Sequence, residues 1–151
     1  MGMAEVRYRY RLRVNADEAV LLHGVFDSCR AVWNQALARW TELWREERLG
    51  YSYVEMAAEL TDWRAAWEWL AAQPQCPQQQ TLRRLYKAIR AFFDRSNPAG
   101  RPRFKSRKRG DGHSAEWTTN GFCLSGTGLG AERADRLQVA VAGGRLSLRV
   151  V

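Results

Sequence analysis

Six of the nine residues from Arg101 to Arg109 (Arg-Pro-Arg-Phe-Lys-Ser-Arg-Lys-Arg) are Arg or Lys, and none is acidic. Fixed positive charge at that density calls for a polyanion. A phosphodiester backbone fits best, because every phosphate neutralised by Arg or Lys releases condensed counterions. Upstream, Arg83, Arg84, Lys87 and Arg90 recur at helical spacing, and near the start Arg7, Arg9, Arg11 and Arg13 alternate with apolar residues. Together with Arg101, Arg103, Lys105, Arg107, Lys108 and Arg109 these side chains are the candidate backbone contacts. They are expected to converge into one cationic trough. Phe104 is read as an anchor for the basic loop, with stacking on a base as the second reading.

The chain has 151 residues and a net charge of +8, unevenly spread. Residues 1–13 carry +3, residues 14–82 carry −5, residues 83–109 carry +10 and residues 110–151 are neutral. A 27-residue window thus holds more positive charge than the whole protein shows, which marks a binding face better than a high isoelectric point does. Seven Trp, five Tyr and five Phe are too heavy an aromatic load for a disordered tail. The three cysteines, Cys29, Cys76 and Cys123, are far apart and form no Cys-x-x-Cys, so free thiols are expected, with neither a zinc site nor a disulfide framework. No apolar signal core or membrane-length apolar run is present. The expectation is a soluble cytoplasmic protein without cofactor, bound metal or membrane contact.

The elements that position these cations follow from periodicity. Val6 to Val14 alternates with period two and reads as a half-buried strand with four guanidinium groups on its outer face. Asn15 with Glu18 makes a capping-box pair that opens a helix running to about Arg48 and ended by Gly50, with Gly24 as a candidate break. His23 reads as a packing residue. Tyr53 to Ala72 predicts a second helix whose Trp63, Trp67 and Trp69 are most simply packing residues and, on a sharper reading, a platform for bases. Pro77 suits the first turn of a third helix that buries Leu82, Leu85, Ile89, Phe92 and Phe93 and stops near Ser96. The basic segment follows as an extended loop. Short strands are expected over 114–119, 121–124, 137–141 and 146–151, with a loop over 125–136 and a hairpin turn at Gly143-Gly144. The fold class is α+β: about three helices inserted into a small antiparallel β wedge or barrel. Residues 1–14 and 100–151 would form the wedge and 15–99 the helical lobe.

Several motifs in order resemble the amino-terminal part of the TnpB family of transposon-encoded RNA-guided nucleases. The opening Arg-Tyr-Arg-Leu-Arg, then Cys29-Arg30-Ala31-Val32-Trp33-Asn34 with Leu37, Leu60-Thr61, Trp69-Leu70, Gln79 with Phe92-Phe93, Gly100 to Ser106, and Trp117-Thr118-Thr119-Asn120 carry the likeness. The family's Leu-Pro-Lys-Leu-Gly segment is not intact, and its nuclease carboxylates and zinc ribbon have no counterpart here. The resemblance implies a truncated recognition piece that binds structured guide RNA and/or DNA, with no catalytic residue of its own. It also implies that Gln79, Thr118 and Asn120 contact bases of a short DNA motif. The family's "helix-turn-helix" label fits the residues poorly: the first helix opens Ala16-Asp17-Glu18, which repels phosphate, where a recognition helix would carry base-reading side chains. The alternatives are a non-functional remnant or a protein-interaction module, and, third, a stand-alone nuclease.

Overall fold

The computed structural model describes residues 7–47, 50–96, 99–126 and 134–151. Strand β1 (Leu12–Arg13) leads into helix α1 (Ala16–Glu47), followed by α2 (Tyr53–Ala66), α3 (Glu68–Ala71) and α4 (Gln75–Phe92). A 3-10 turn (Arg107–Arg109) precedes strands β2 (Phe122–Gly126), β3 (Ala134–Val141) and β4 (Gly144–Val150). The four strands form one antiparallel sheet in the order β1-β4-β3-β2. The first strand therefore pairs with the last, and the helices are inserted between them, as expected for an α+β helical lobe on a β wedge.

The capping box is formed. The Glu18 amide donates to Asn15 Oδ1 at 2.9 Å, and the Asn15 amide donates to Glu18 Oε1 at 3.0 Å. These bonds satisfy first-turn donors that have no intrahelical partner. Gly24 does not break the helix; α1 passes through it, and a Cβ there would meet the amide end of Gln73 at 2.8 Å. That glycine leaves room for the Gln73 side chain, which follows α3.

α1 belongs to two cores. Its first half places Val25 and Cys29 against Val139, Val141 and Leu148 of the sheet. Further along, Val32, Ala36, Leu37 and Trp40 pack on Met56, Leu60 and Leu70 and on Leu82, Leu85 and Ile89 of α4. Each large apolar side chain buried in this way contributes about 1.5–3 kcal/mol. One rigid helix thus ties the sheet to the helical lobe.

Several elements depart from the expectations. The stretch 53–72 is two helices, because Trp67 turns to an extended conformation (φ −117°, ψ 105°). Arg64 takes up carbonyls at the carboxyl end of α3, donating to those of Leu70, Ala71 and Gln73, and also to Gln78 Oε1. The stripe of Trp63, Trp67 and Leu70 suits an unbroken helix, so periodicity alone could not show the turn. α4 ends at Phe92 rather than near Ser96, and Phe93 lies half exposed against Trp40 and Trp44 instead of in the core.

Of the alternating opening, Leu12 and Arg13 pair with β4, the Val151 amide adds one bond to the Arg11 carbonyl, and residues 7–10 have no regular structure. Alternation reports which side is buried; it does not supply a partner strand. Val6 lies outside the described residues. Residues 114–119 are not a strand: Trp117 instead sends its indole N–H to the Ala140 carbonyl at 2.9 Å, so a side chain takes the place of a ladder. Ser125, Gly126 and 134–136, expected in a loop, extend β2 and β3; positions 127–133 lie outside the described residues. The hairpin turn is Ala142-Gly143, one residue earlier than expected. Gly143 has φ 82°, the left-handed geometry a tight hairpin needs, and Gly144 already pairs with Val141.

Candidate nucleic-acid interface

The basic segment lies along α1 as a strap running in the opposite direction. Arg101 donates to Thr41 Oγ1 at 3.3 Å and stands over the Trp40 ring at 5.3 Å. Trp33 donates its indole N–H to the Arg103 carbonyl at 2.9 Å. Asn34 Nδ2 donates to the Lys105 carbonyl at 2.9 Å, and Asn34 Oδ1 accepts from the Lys105 amide at 2.8 Å. Arg107 stands 4.0 Å from Asp27, which also pairs with Arg30. Gly112 rests on the aliphatic stem of Arg30, and His113 meets His23 edge to face at 5.7 Å. The α1 partners 23, 27, 30, 34 and 41 recur at three-, four- and seven-residue spacing, a stripe of their own beside the core stripe 25, 29, 32, 36 and 40.

Main-chain bonds do most of the holding. The strap is fixed through the peptide groups of Arg103 and Lys105, which leaves the cationic side chains of Arg101, Arg103, Arg107, Lys108 and Arg109 exposed. The ion pair of Arg107 with Asp27 is solvated and contributes little. Arg109 is partly committed: it donates to Asp111 Oδ2 at 3.0 Å and to the Phe104 carbonyl at 2.5 Å. The Asp111 carboxyl is held below its ordinary value of 3.8, first by that Arg109 bond and then by the Ser106 amide. Phe104 is 50% exposed, so anchoring falls to Trp33 and Asn34 instead. The two residues stand together in the sequence, but their partners lie some seventy positions on.

The strap meets the basic face of α4 at Lys105. The Lys105 ammonium sits 4.1 Å from the Trp33 ring centroid, and its pKa is lowered by burial and then by the neighbouring Arg84. On α4, Arg83 lies over the Tyr53 ring at 4.3 Å and Arg90 over Tyr86 at 5.8 Å. With Gln80, Arg84, Lys87 and Glu116 they line an open groove of about 490 Å³. Glu116 is the single acidic side chain in that lining.

Arg7, Arg9, Arg11 and Arg13 are exposed at the β1 edge of the sheet. Among the described residues, no hydrogen bond, ion pair or ring contact joins them to the strap or to α4. The described contacts thus bring the strap together with α4, and the sheet edge is described apart from them.

Thr118 is held at the first turn of α4. Its amide donates to Cys76 Sγ at 3.1 Å, and its hydroxyl lies 3.1 Å from the same sulfur. Gln79, half-buried one turn further on, shares that end of the helix. Asn120 is exposed, and its carbonyl accepts from Arg145 at 3.0 Å. Gln78, by contrast, is fully buried, accepting from Arg64 and donating to the Leu70 carbonyl. Trp63, Trp67 and Trp69 stack in a row at 6.3–6.4 Å between ring centroids, the last two exposed. Among the described residues, no three His, Cys, Asp or Glu side chains gather to hold a metal ion, and no helix is long and apolar enough to cross a membrane.

With this geometry in hand, comparison with known proteins narrows the class. A family profile described as a helix-turn-helix domain matches residues 1–48. Within that stretch, residues 16–47 form one unbroken helix, with no turn between two helices. The chain is 36% identical over 124 residues to a Streptomyces pristinaespiralis protein named "Putative RNA-guided DNA endonuclease", covering 81% of this chain and 30% of that protein. It is 34% identical over 106 residues to "Putative RNA-guided DNA endonuclease InsQ" of Escherichia coli K12, covering 69% of this chain and 26% of that protein. The chain thus spans less than a third of the length of these relatives. It is homologous to one part of proteins so named.

Proposed function

We propose that this chain is the backbone-gripping part of a TnpB-like, RNA-guided nuclease-type protein and that it binds structured RNA and/or DNA through the strap and α4. The observation that carries this reading is the way the strap is fixed. Neutral groups, the Asn34 amide and the Trp33 indole, bind its main chain, and the side chains of Arg101, Arg103, Arg107, Lys108 and Arg109 are left exposed. A segment needed only to close the fold would gain nothing from six positive side chains, of which only Arg107 and Arg109 meet a carboxylate. Phosphate groups would relieve their mutual repulsion and release counterions.

The relatives' names supply the class of partner. Recognition would be of backbone and shape, as for structured RNA and an RNA–DNA heteroduplex. Gln79, Thr118 and Asn120 would add base-edge contacts at the amino end of α4, since amides and hydroxyls can both donate and accept there. The proposed activity is binding, and the free thiols Cys29, Cys76 and Cys123 suit a cytoplasmic setting.

Replacing Arg103, Arg107 and Lys108 by Ser removes charge while sparing Lys105 and Arg109, which brace the strap. Gel shifts with an RNA hairpin and a DNA duplex should show a roughly tenfold or greater loss for at least one of them. Unchanged affinity for both would overturn the proposal.

A further inference from the structure

The strand register places three arginines in one row. Arg13 on β1 is the direct partner of Arg149 on β4, and Arg149 is the direct partner of Arg136 on β3. Leu137, Val139, Val141, Leu146, Leu148 and Leu12 have the opposite parity and pack toward α1. Successive side chains on a strand point to opposite faces, so Arg13, Arg149 and Arg136 lie on the face turned away from α1. All three are exposed, and among the described residues none has an ion-pair partner. Ser125 of β2 completes the row. Along the described strands, the single acidic residue, Asp135, has the other parity.

Like charges directly opposite on neighbouring strands destabilise a sheet. Two such pairs in succession are a standing cost that a bound anion would remove. With strands about 4.8 Å apart, the row spans about 10 Å. Four successive phosphates of one nucleic-acid strand span about the same distance, at one charge per about 3.4 Å of axis. We infer that the outer face of the sheet, through Arg13, Arg136 and Arg149, is a second phosphodiester-binding surface, facing away from the helix that carries the strap. The chain would then hold two backbone segments at once with the sheet between them. This rests on the same phosphate chemistry as the proposed function, but on different residues.

The test uses the full chain, a labelled RNA hairpin and a labelled DNA duplex. The double variant Arg136→Ser, Arg149→Ser should lose roughly tenfold in affinity for at least one probe, and its salt slope should fall by about two. Its thermal midpoint should stay the same or rise, because repulsion is removed. Arg136→Lys with Arg149→Lys keeps the charge and should keep binding, which separates charge from fold. Wild-type affinity of the Ser variant for both probes would overturn the inference, whatever the strap variant does. Loss with the sheet variant and none with the strap variant would support this surface and defeat the proposed function.

Discussion

Asn34 holds the peptide group of Lys105 by both sides of its own amide, at 2.9 Å and 2.8 Å, across 71 positions of sequence. The pairing copies one rung of a β ladder, with a side chain standing in for a strand. Through it, a neutral residue in the middle of α1 sets the path of the most basic segment of the chain. The strap's shape thus depends in part on a residue that contributes nothing to its charge, and the two can be varied separately at Asn34 and at Arg103, Arg107 and Lys108.

Asn34→Ala removes no charge and two hydrogen bonds. It should destabilise the fold by about 1–2 kcal/mol. Affinity for an RNA hairpin should fall several-fold even though all the cations remain, with hydrogen exchange rising at residues 103–106. Thermal unfolding, exchange and gel shift on one preparation check all three. Unchanged exchange would mean that the strap keeps its path without this clamp.

Arg64 is the corresponding device in the helical lobe. Its guanidinium joins the carbonyls of Leu70, Ala71 and Gln73 to Gln78, and burial lowers its pKa without removing its charge. Arg64→Ala should cost about 2–3 kcal/mol. Lysine cannot form the planar fork, so Arg64→Lys should recover little. Denaturant titration of the two variants measures both effects. A fully restored midpoint in the Lys variant would show that charge, and not the fork, closes the end of α3.

If the strap binds phosphate as proposed, Lys105 should link binding to pH. Burial, and then Arg84, hold its pKa below the ordinary 10.5, so the folded state favours the neutral amine relative to the unfolded chain. Stability attributable to this group should therefore rise as pH climbs through its folded value toward 10.5. A bound phosphate favours the ammonium and reverses the shift. Affinity should then weaken over the same alkaline window, with proton uptake on binding. Lys105→Arg should flatten the profile. Fluorescence anisotropy from neutral pH upward checks it, and a profile identical in the two proteins would exclude Lys105 from the interface.

Much of this architecture can be read from local chemistry. Asn15 with Glu18 starts α1 where the pattern says, and the alternation in β3 and β4 marks their buried faces because each strand has one side on the core. What local pattern cannot carry is partnership. Trp33 and Asn34 are visible as a motif, yet their roles depend on peptides seventy residues away. Arg13 is visible in the alternating opening, but Arg136 and Arg149 look unremarkable in the sequence, both in a stretch of zero net charge. They become a row only through the register of β1, β4 and β3. The turn at Trp67 escapes notice because the apolar stripe runs on through it, and the Arg64 contacts that close the end of α3 obey no cap rule.

The most direct test of the central claim is the slope of log affinity against log salt for duplex DNA, measured for the wild type and for the Arg103→Ser, Arg107→Ser, Lys108→Ser variant. With about six phosphates neutralised, the wild-type slope should lie near −5, and the variant should be shallower by about 3. A wild-type slope shallower than about −2, or the same slope in both proteins, would contradict phosphate gripping by the strap.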